Sequence, residues 1–271
     1  MFQDMRIGII GFGNMGEAIL KGLLNQQIVQ RSNLFVADIS ADRILYAKNK
    51  YSVNGVDSGG ELIKKVDILI LCIKPQDLKD LAGKIAKELP QEILIISILA
   101  GVTTKRLEAV FKKKCRVIRV MPNMAAMVGS GISAISLGKY AVDEDKGHAV
   151  KIFKAVGVTV DVSEELQDAV TAISGSGPAY FFYVVELLIK AGVGMGLTAE
   201  TSKLLAIKTL QGSGLLFEKM HEEPEFLRKK VTSKGGTTEA AFKVLARRQF
   251  DKALISAVQA GAKRAKELSK G

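Results

Sequence analysis

The sequence predicts two domains: an α/β domain on a doubly wound, mostly parallel sheet at residues 1–163, and an all-helical domain at residues 164–271. Three observations predict this. Short, wholly apolar runs alternate with amphipathic stretches as far as Val162. A Gly-x-Gly-x-x-Gly segment joins the first apolar run to the first amphipathic one. Beyond Ser163 no strand-like run recurs, and Ala- and Leu-rich helical segments take over. Strands that apolar are buried on both faces, as parallel strands between helical layers are.

Taken in order, residues 5–10 read as the first strand and 14–24 as a helix. Residues 34–37 form a strand and 41–49 a helix. Residues 67–73 are strand-like until Pro75, and 78–88 are helical with Pro90 following. A strand at 92–99, a helix at 103–112 and a strand at 115–120 come next, the last stopping before Pro122. The pattern weakens after 132–136. A helix at 143–155 and a strand at 158–162 close the domain near Ser163. Ser163 then reads as a helix N-cap, and Pro178 as a first-turn proline before a helix at 179–191. Thr198 caps a long helix reaching 217, and helices at 237–248 and 251–268 complete the chain.

Bulk properties narrow the function. The charge is +11, from 39 basic and 28 acidic residues among 271. That excess admits nucleic acid, an acidic membrane surface, small anions or a plain solvated surface. The densest apolar stretches, 93–102 and 179–189, fall short of the roughly 18 residues a membrane span needs. Residues 5–10 read as a buried strand with no cleavable apolar region before them, so no secretory leader is expected. Cys72 and Cys115 lie far apart in strand-like runs and read as core thiols, so a reduced, cytoplasmic protein is expected. His148 and His221 are the only histidines, which argues against a zinc site, and no metal is expected.

Gly11-Phe12-Gly13-Asn14-Met15-Gly16 follows the strand ending at Ile10 and opens the first helix, the context of a Rossmann-type dinucleotide fold. Gly11 permits a tight turn, Gly13 lets a pyrophosphate approach the backbone, and Gly16 lets helix and strand pack closely. The anion would rest on free N–H groups at the helix start. Asp38 ends the second strand, where an acid accepts the ribose 2′-hydroxyl of NAD. Ser40 and Arg43 follow and could serve NADP instead, and Asp38 also reads as a turn or cap residue. Ligands of such sheets bind beyond the carboxyl ends of the strands. The loops Cys72-Ile73-Lys74-Pro75 and Ala100-Gly101 should therefore face the cofactor.

Two motifs of the second domain are more specific: Ile173-Ser-Gly-Ser-Gly-Pro178-Ala-Tyr-Phe and Val231-Thr-Ser-Lys-Gly-Gly-Thr-Thr238. Read physically, the latter is a turn of hydroxyls and N–H groups leading into a helix, suited to a carboxylate or to nothing more than capping. With Ile-Lys-Pro-Gln at 73–76 and Arg119-Val-Met-Pro-Asn123, the chain resembles the pyrroline-5-carboxylate reductases over essentially its whole length. The resemblance implies NAD(P)H-dependent reduction of the cyclic imine 1-pyrroline-5-carboxylate to L-proline. It implies Thr238 as the hydroxyl at the ring nitrogen. Thr232, Ser233, Gly235, Gly236 and Thr237 would line the carboxylate pocket, and Asn123 would lie beside the cofactor. It further implies NADPH, with NADH open, and a homodimer or higher ring whose helices interleave. His221 and Glu222 fall where some members place an assisting glutamate. The chain departs from the family at Lys234, where proline is usual, at Glu223-Pro224, where a His-Pro pair is frequent, and at Gly59, where many members carry asparagine.

Two other readings are weaker. A β-hydroxyacid or 6-phosphogluconate-type dehydrogenase needs a lysine acid/base on the first long helix of the second domain, and only Lys190 is nearby. A nucleic-acid binder has the positive charge alone in its favour.

Overall fold

The computed structural model describes residues 2–111 and 114–270. Among them eight strands make one sheet in the order β3-β2-β1-β4-β5-β6-β7-β8. The strands are β1 (Ile7–Ile10), β2 (Leu34–Ala37), β3 (Asn54–Gly55), β4 (Ile68–Leu71), β5 (Leu94–Ser97), β6 (Arg116–Met121), β7 (Gly131–Leu137) and β8 (Gly157–Asp161). Every pairing is parallel except β6 with β7. The intervening helices are α1 (Asn14–Asn25), α2 (Ala41–Tyr51), α3 (Gly59–Leu62), α4 (Leu78–Ile85), α5 (Thr104–Phe111) and α6 (Asp143–Lys154). The helix expected over 103–112 is α5; Lys112 lies outside the described residues.

Alternation along the strands explains the two layers. Ile7, Ile9, Ile68, Ile70, Leu94, Ile96, Ile118 and Val120 enter one core with α1 and α6. Ile10, Leu69, Leu71, Ile95 and Val117 enter the other with α4 and α5. Successive side chains of a strand point to opposite faces, so an unbroken apolar run fills both. Each such Ile or Leu is essentially solvent-free and contributes about 1.5–3 kcal/mol by burial. The topology places the β1–α1, β4–α4 and β5–α5 loops at the same end of the sheet, which positions the site.

Three elements exceed the sequence reading. β3 has two residues and α3 four, too short for any periodicity to register. Helix α10 (Pro224–Lys230) is a seven-residue, mostly charged stretch that opens on a proline. Ser163 sits at an N-cap position but its hydroxyl makes no cap bond. The chain after Ser163 makes a 3-10 turn at Glu164–Leu166, helix α7 (Gln167–Val170) and a π-turn at Thr171–Gly175. Gln167 is fully buried, and its Nε2 donates to Ser136 Oγ at 2.8 Å. Residues up to Ser176, together with those from Gly261 on, form one compact unit; Gly177–Ala260 form the other.

In the second unit α8 (Gly177–Gly194) packs on α9 (Ala199–Met220). Thr198 caps α9, its hydroxyl accepting from Thr201 N–H at 3.1 Å. A Cβ at Gly192 would lie 2.6 Å from Ser202 Oγ, so the small residue permits the close crossing. Helices α11 (Thr237–Arg247) and α12 (Phe250–Lys270) end the chain. Phe181, Phe182, Leu187 and Leu188 of α8 and Leu204, Leu205, Leu215 and Leu216 of α9 stand roughly half exposed. So much apolar surface marks an interaction face. The run Glu164–Gly194 is also long and apolar enough, by length and composition alone, to cross a membrane. The sequence predicts this helix only from Ala179, because Pro178 reads as its first-turn proline. The run is interrupted by the π-turn and carries Glu164, Glu165, Asp168, Glu186 and Lys190.

Candidate functional site

The glycine loop sits between β1 and α1. Gly11 has φ +92°, and its N–H donates to Ala37 O at 2.9 Å. A Cβ at Gly11 would meet the Cys72 carbonyl at 2.7 Å, and one at Gly16 would meet Gly11 O at 2.3 Å. Two loop segments and a helix thus converge on bare backbone. Gly13 is different: a Cβ there would meet nothing within 4 Å. Gly13 is also the N-cap of α1, with no side-chain bond capping the helix. The N–H groups of Asn14, Met15 and Gly16 open the helix where no preceding turn can accept them. They face an open approach with the positive end of the helix dipole behind it.

Phe12 plays another part than the motif suggests. Its side chain is fully buried, edge-on to Tyr51, and its N–H donates to Asp38 Oδ2 at 2.6 Å. It can meet a ligand only through what backbone remains. Asp38 also accepts from Ser40 N–H through Oδ1 at 2.9 Å. Its carboxylate therefore ties the end of β2 to the glycine loop and keeps one lone pair on each oxygen for a further donor. Arg43 donates through Nε to Phe12 O at 2.7 Å and through Nη2 to Glu17 at 3.1 Å. Its guanidinium lies over the Phe12 and Tyr46 rings. Only part of its donor set is left for a phosphate.

Glu17 is the hub behind this loop, and sequence reasoning missed it. Its carboxylate accepts from Tyr51 and Tyr46 hydroxyls at 2.7 and 2.8 Å and from Lys50 and Arg43 at 3.1 Å each. Desolvation pushes its pKa up, but the four donors win and hold it down to about 2, from an ordinary value near 4.5. A carboxyl depressed in the fold stabilises above the ordinary carboxylate range, and that stability drains as pH falls toward 2. With a fifth of the side chain open to water, the effect is about 2 kcal/mol. We expect the unfolding free energy of the wild type to fall by about that much more than that of Glu17→Gln between about pH 5 and pH 2. Parallel profiles in denaturant titrations would contradict the hub.

The other cofactor-side residues cluster at the same end of the sheet. Ile10 ends β1 and its carbonyl accepts from Cys72 N–H at 2.8 Å. Cys72 and Ile73 are half-buried, Lys74 is exposed, and Pro75 begins a 3-10 turn. Burial pushes the Cys72 thiol well above its usual range, so it is inert at neutral pH. Ala100 and Gly101 follow β5, with Gly101 at φ +70°. Asn123, past the end of β6, accepts from Ile132 N–H through Oδ1 at 3.2 Å and so holds the start of β7. At Gly59 a Cβ would lie 3.2 Å from Ile10 Cδ1 and from Leu81 Cδ1, so the asparagine of other members would need both to yield.

The second unit carries the hydroxyl-rich turn. Gly235 has φ +76°, which favours glycine, and its N–H donates to Glu239 Oε2 at 2.5 Å. Gly236 N–H donates to Ser233 O at 3.0 Å, and Thr232 Oγ1 to Arg228 O at 2.7 Å. These groups close the turn, so the continuous N–H concavity expected over 232–238 narrows to its last part. There Gly236 is the N-cap of α11 and no side chain caps the helix. Thr237, Thr238 and Glu239 present the open N–H groups of its first turn. Thr238 is half-buried and Ser233 exposed. His221 ends α9 in a left-handed conformation, and Glu222 pairs with Lys230 at 3.9 Å.

Known proteins share this layout. Residues 164–268 match the family described as pyrroline-5-carboxylate reductase dimerisation, and residues 6–101 match NADP oxidoreductase coenzyme F420-dependent. A pyrroline-5-carboxylate reductase from Synechocystis is 38% identical over 268 residues, covering 99% of this chain and 100% of the relative. The chain belongs to the pyrroline-5-carboxylate reductase family. A solved pyrroline-5-carboxylate reductase from Coxiella burnetii superposes with a TM-score of 0.92 at 34% identity, over 98% of this chain and 99% of that one. The pyrroline carboxylate reductase of Plasmodium falciparum, solved with NADP bound, gives 0.89 at 30% identity over 99% and 100%.

Proposed function

We propose that this protein reduces 1-pyrroline-5-carboxylate to L-proline with NADPH, the closing step of proline synthesis, with NADH as the alternative donor. One observation carries the reading: α1 and α11 each start on a glycine and have no side-chain cap, leaving two open N–H turns for two anions. The turn at Asn14, Met15 and Gly16 takes the cofactor pyrophosphate, where Gly13 leaves the room a Cβ would fill. Ile10, Gly11, the Phe12 backbone, Asp38, the Cys72-Ile73-Lys74-Pro75 loop, Ala100, Gly101 and Asn123 border the rest of that ligand. The turn at Thr237–Thr238, with Thr232, Ser233, Gly235 and Gly236 shaping it, takes the substrate carboxylate. The match of residues 6–101 to an NADP oxidoreductase family supports NADPH.

The reduced nicotinamide supplies the hydride for the C=N carbon of the ring. The protein orients the ring and manages the proton. A cyclic imine is far more basic than a ketone and can arrive protonated, so no histidine is required. The Thr238 hydroxyl suits either form: it donates to an imine lone pair or accepts from an iminium N–H. Neutral donors around the carboxylate lose less on desolvation than a lysine would, and leave the nitrogen clear.

The apolar faces of α8 and α9 lie within the dimerisation match and fit a homodimer or a ring built from dimers. We place the enzyme in the cytoplasm, where its two undisulfided thiols, Cys72 and Cys115, stay reduced. The test is paired initial rates on 1-pyrroline-5-carboxylate with NADPH and NADH. Turnover with both and a higher kcat/KM for NADPH is expected; no turnover with either, on folded protein, ends the proposal.

A further inference from the structure

Arg119 is a buried charge that the chemistry above does not use. It lies on β6 with its side chain 4% exposed. Its Nη1 faces Glu164 Oε1 and its Nη2 faces Asp168 Oδ1, each at 3.6 Å. Glu164 and Asp168 stand four residues apart, one helical turn, so one guanidinium spans both carboxylates. Glu164 is itself anchored: Thr104 N–H and Thr104 Oγ1 donate to its two oxygens, both at 2.7 Å, at the start of α5. Two residues beyond Arg119 on the same strand face, Met121 meets the π-turn. A Cβ at Gly175 would lie 2.6 Å from Met121 Cε.

Ion pairs to a buried guanidinium are a poor device for stability alone, because its desolvation consumes most of the attraction. Here Arg119 Nη2 and Asp168 Oδ1 even lack a hydrogen-bond partner. Apolar residues would hold two elements together at lower cost. What a planar guanidinium adds is direction: at 3.6 Å its two Nη groups make ion pairs, not hydrogen bonds, and draw one carboxylate against each arm. The segment so fixed runs into a π-turn, a geometry that recurs at functional sites. That turn, Thr171–Gly175, carries the Ser-Gly of the Ser-Gly-Ser motif that stands out in the sequence. It lies past the carboxyl end of β6, the end of the sheet where such folds bind their cofactor.

We propose that Arg119, gripped by Glu164 and Asp168, is a positioning residue for hydride transfer: it sets Ser174-Gly175-Ser176 against the end of β6 so that the nicotinamide half of the site keeps its reactive geometry. It touches neither ligand. Its effect falls on the chemical step, and the pyrophosphate contacts of the glycine loop are left alone. The inference rests on the reductase reading above, and wild-type turnover tests that reading separately.

The test uses the full-length enzyme with Asp168→Asn, which keeps size and removes one grip, and Arg119→Lys, which keeps charge and removes the fork. Arg119→Met would leave two half-buried carboxylates uncompensated and can fail to fold, so Asp168→Asn carries the test. Three quantities are read: the Kd of NADPH, kcat with KM for 1-pyrroline-5-carboxylate, and the primary isotope effect with nicotinamide-deuterated NADPH. For folded Asp168→Asn, we expect an NADPH Kd within about two-fold of wild type, a kcat lower by about 10- to 100-fold and an isotope effect that rises as hydride transfer becomes limiting. Arg119→Lys should lower kcat at least as far as Asp168→Asn does, because it keeps the charge but loses the two-armed plane that gives the direction. Wild-type kcat and isotope effect in folded Asp168→Asn would overturn the proposal. So would a loss of kcat matched by an equal loss of NADPH-binding protein with an unchanged isotope effect, the pattern of a merely structural role.

Discussion

Thr238→Ala should lower kcat/KM for 1-pyrroline-5-carboxylate by about 100-fold while the NADPH Kd stays at its wild-type value. The reason is local. Thr238 stands in the first turn of α11, after an N-cap glycine with no side-chain cap. The N–H groups proposed to take the substrate carboxylate belong to the backbone and survive the substitution. Only the hydroxyl proposed for the ring nitrogen is lost, and with it the orientation of the C=N bond and the path for the proton. KM should therefore change less than kcat. Thr238→Ser restores a hydroxyl and should recover most of the rate. Unchanged kcat/KM in folded Thr238→Ala would remove Thr238 from the mechanism.

Gly13→Val should raise the NADPH Kd by about 100-fold with a smaller loss of thermal stability than Gly16→Ala, which should lower Tm markedly even without ligand. The two glycines share a motif but differ in surroundings. A Cβ at Gly13 meets nothing within 4 Å, and the residue's φ of −79° suits any side chain. A side chain at Gly13 therefore starts into open space and fills the room proposed for the pyrophosphate. A Cβ at Gly16 would fall 2.3 Å from the Gly11 carbonyl, a backbone atom that cannot step aside. Equal Tm losses in the two variants, or an unchanged NADPH Kd in Gly13→Val, would refute the assignment of this turn to the pyrophosphate.

These two loops were legible in the sequence because their signals are local. Glycines at fixed offsets between an apolar run and a helix, and hydroxyls ahead of a second helix, need no tertiary information. The strands were legible for a related reason: Ile68–Leu71 or Leu94–Ser97 can only be buried on both faces. The hidden features depend on distant residues meeting. Nothing near Asp38 tells that its carboxylate takes the Phe12 N–H, 26 residues away. Glu17 reads as an ordinary first-turn acid until α2 brings Tyr46, Lys50 and Tyr51 to it. Arg119 looks like a family motif residue, and only the packing of 164–176 beside β6 gives it partners. The hydroxyl-rich turn misled in the opposite direction. It promised more free donors than it has, because Glu239, Ser233 and Arg228 consume three of them in closing it.

Charge sharpened in the same way. Residues 201–271 carry 15 basic and 7 acidic side chains, a net +8. Many pair within their own helices, as Lys229 does with Glu225 and Lys243 with Glu239. The proposed anion sites are built from backbone N–H groups and hydroxyls. The positive surface then gives at most a mild attraction for anionic ligands.

The most direct measurement is the yield of L-proline per NADPH consumed, with purified protein and 1-pyrroline-5-carboxylate as the sole acceptor. One proline is expected for each NADPH oxidised, with both abolished or sharply slowed together in Thr238→Ala. NADPH loss without proline, or no loss at all on folded protein, would contradict it.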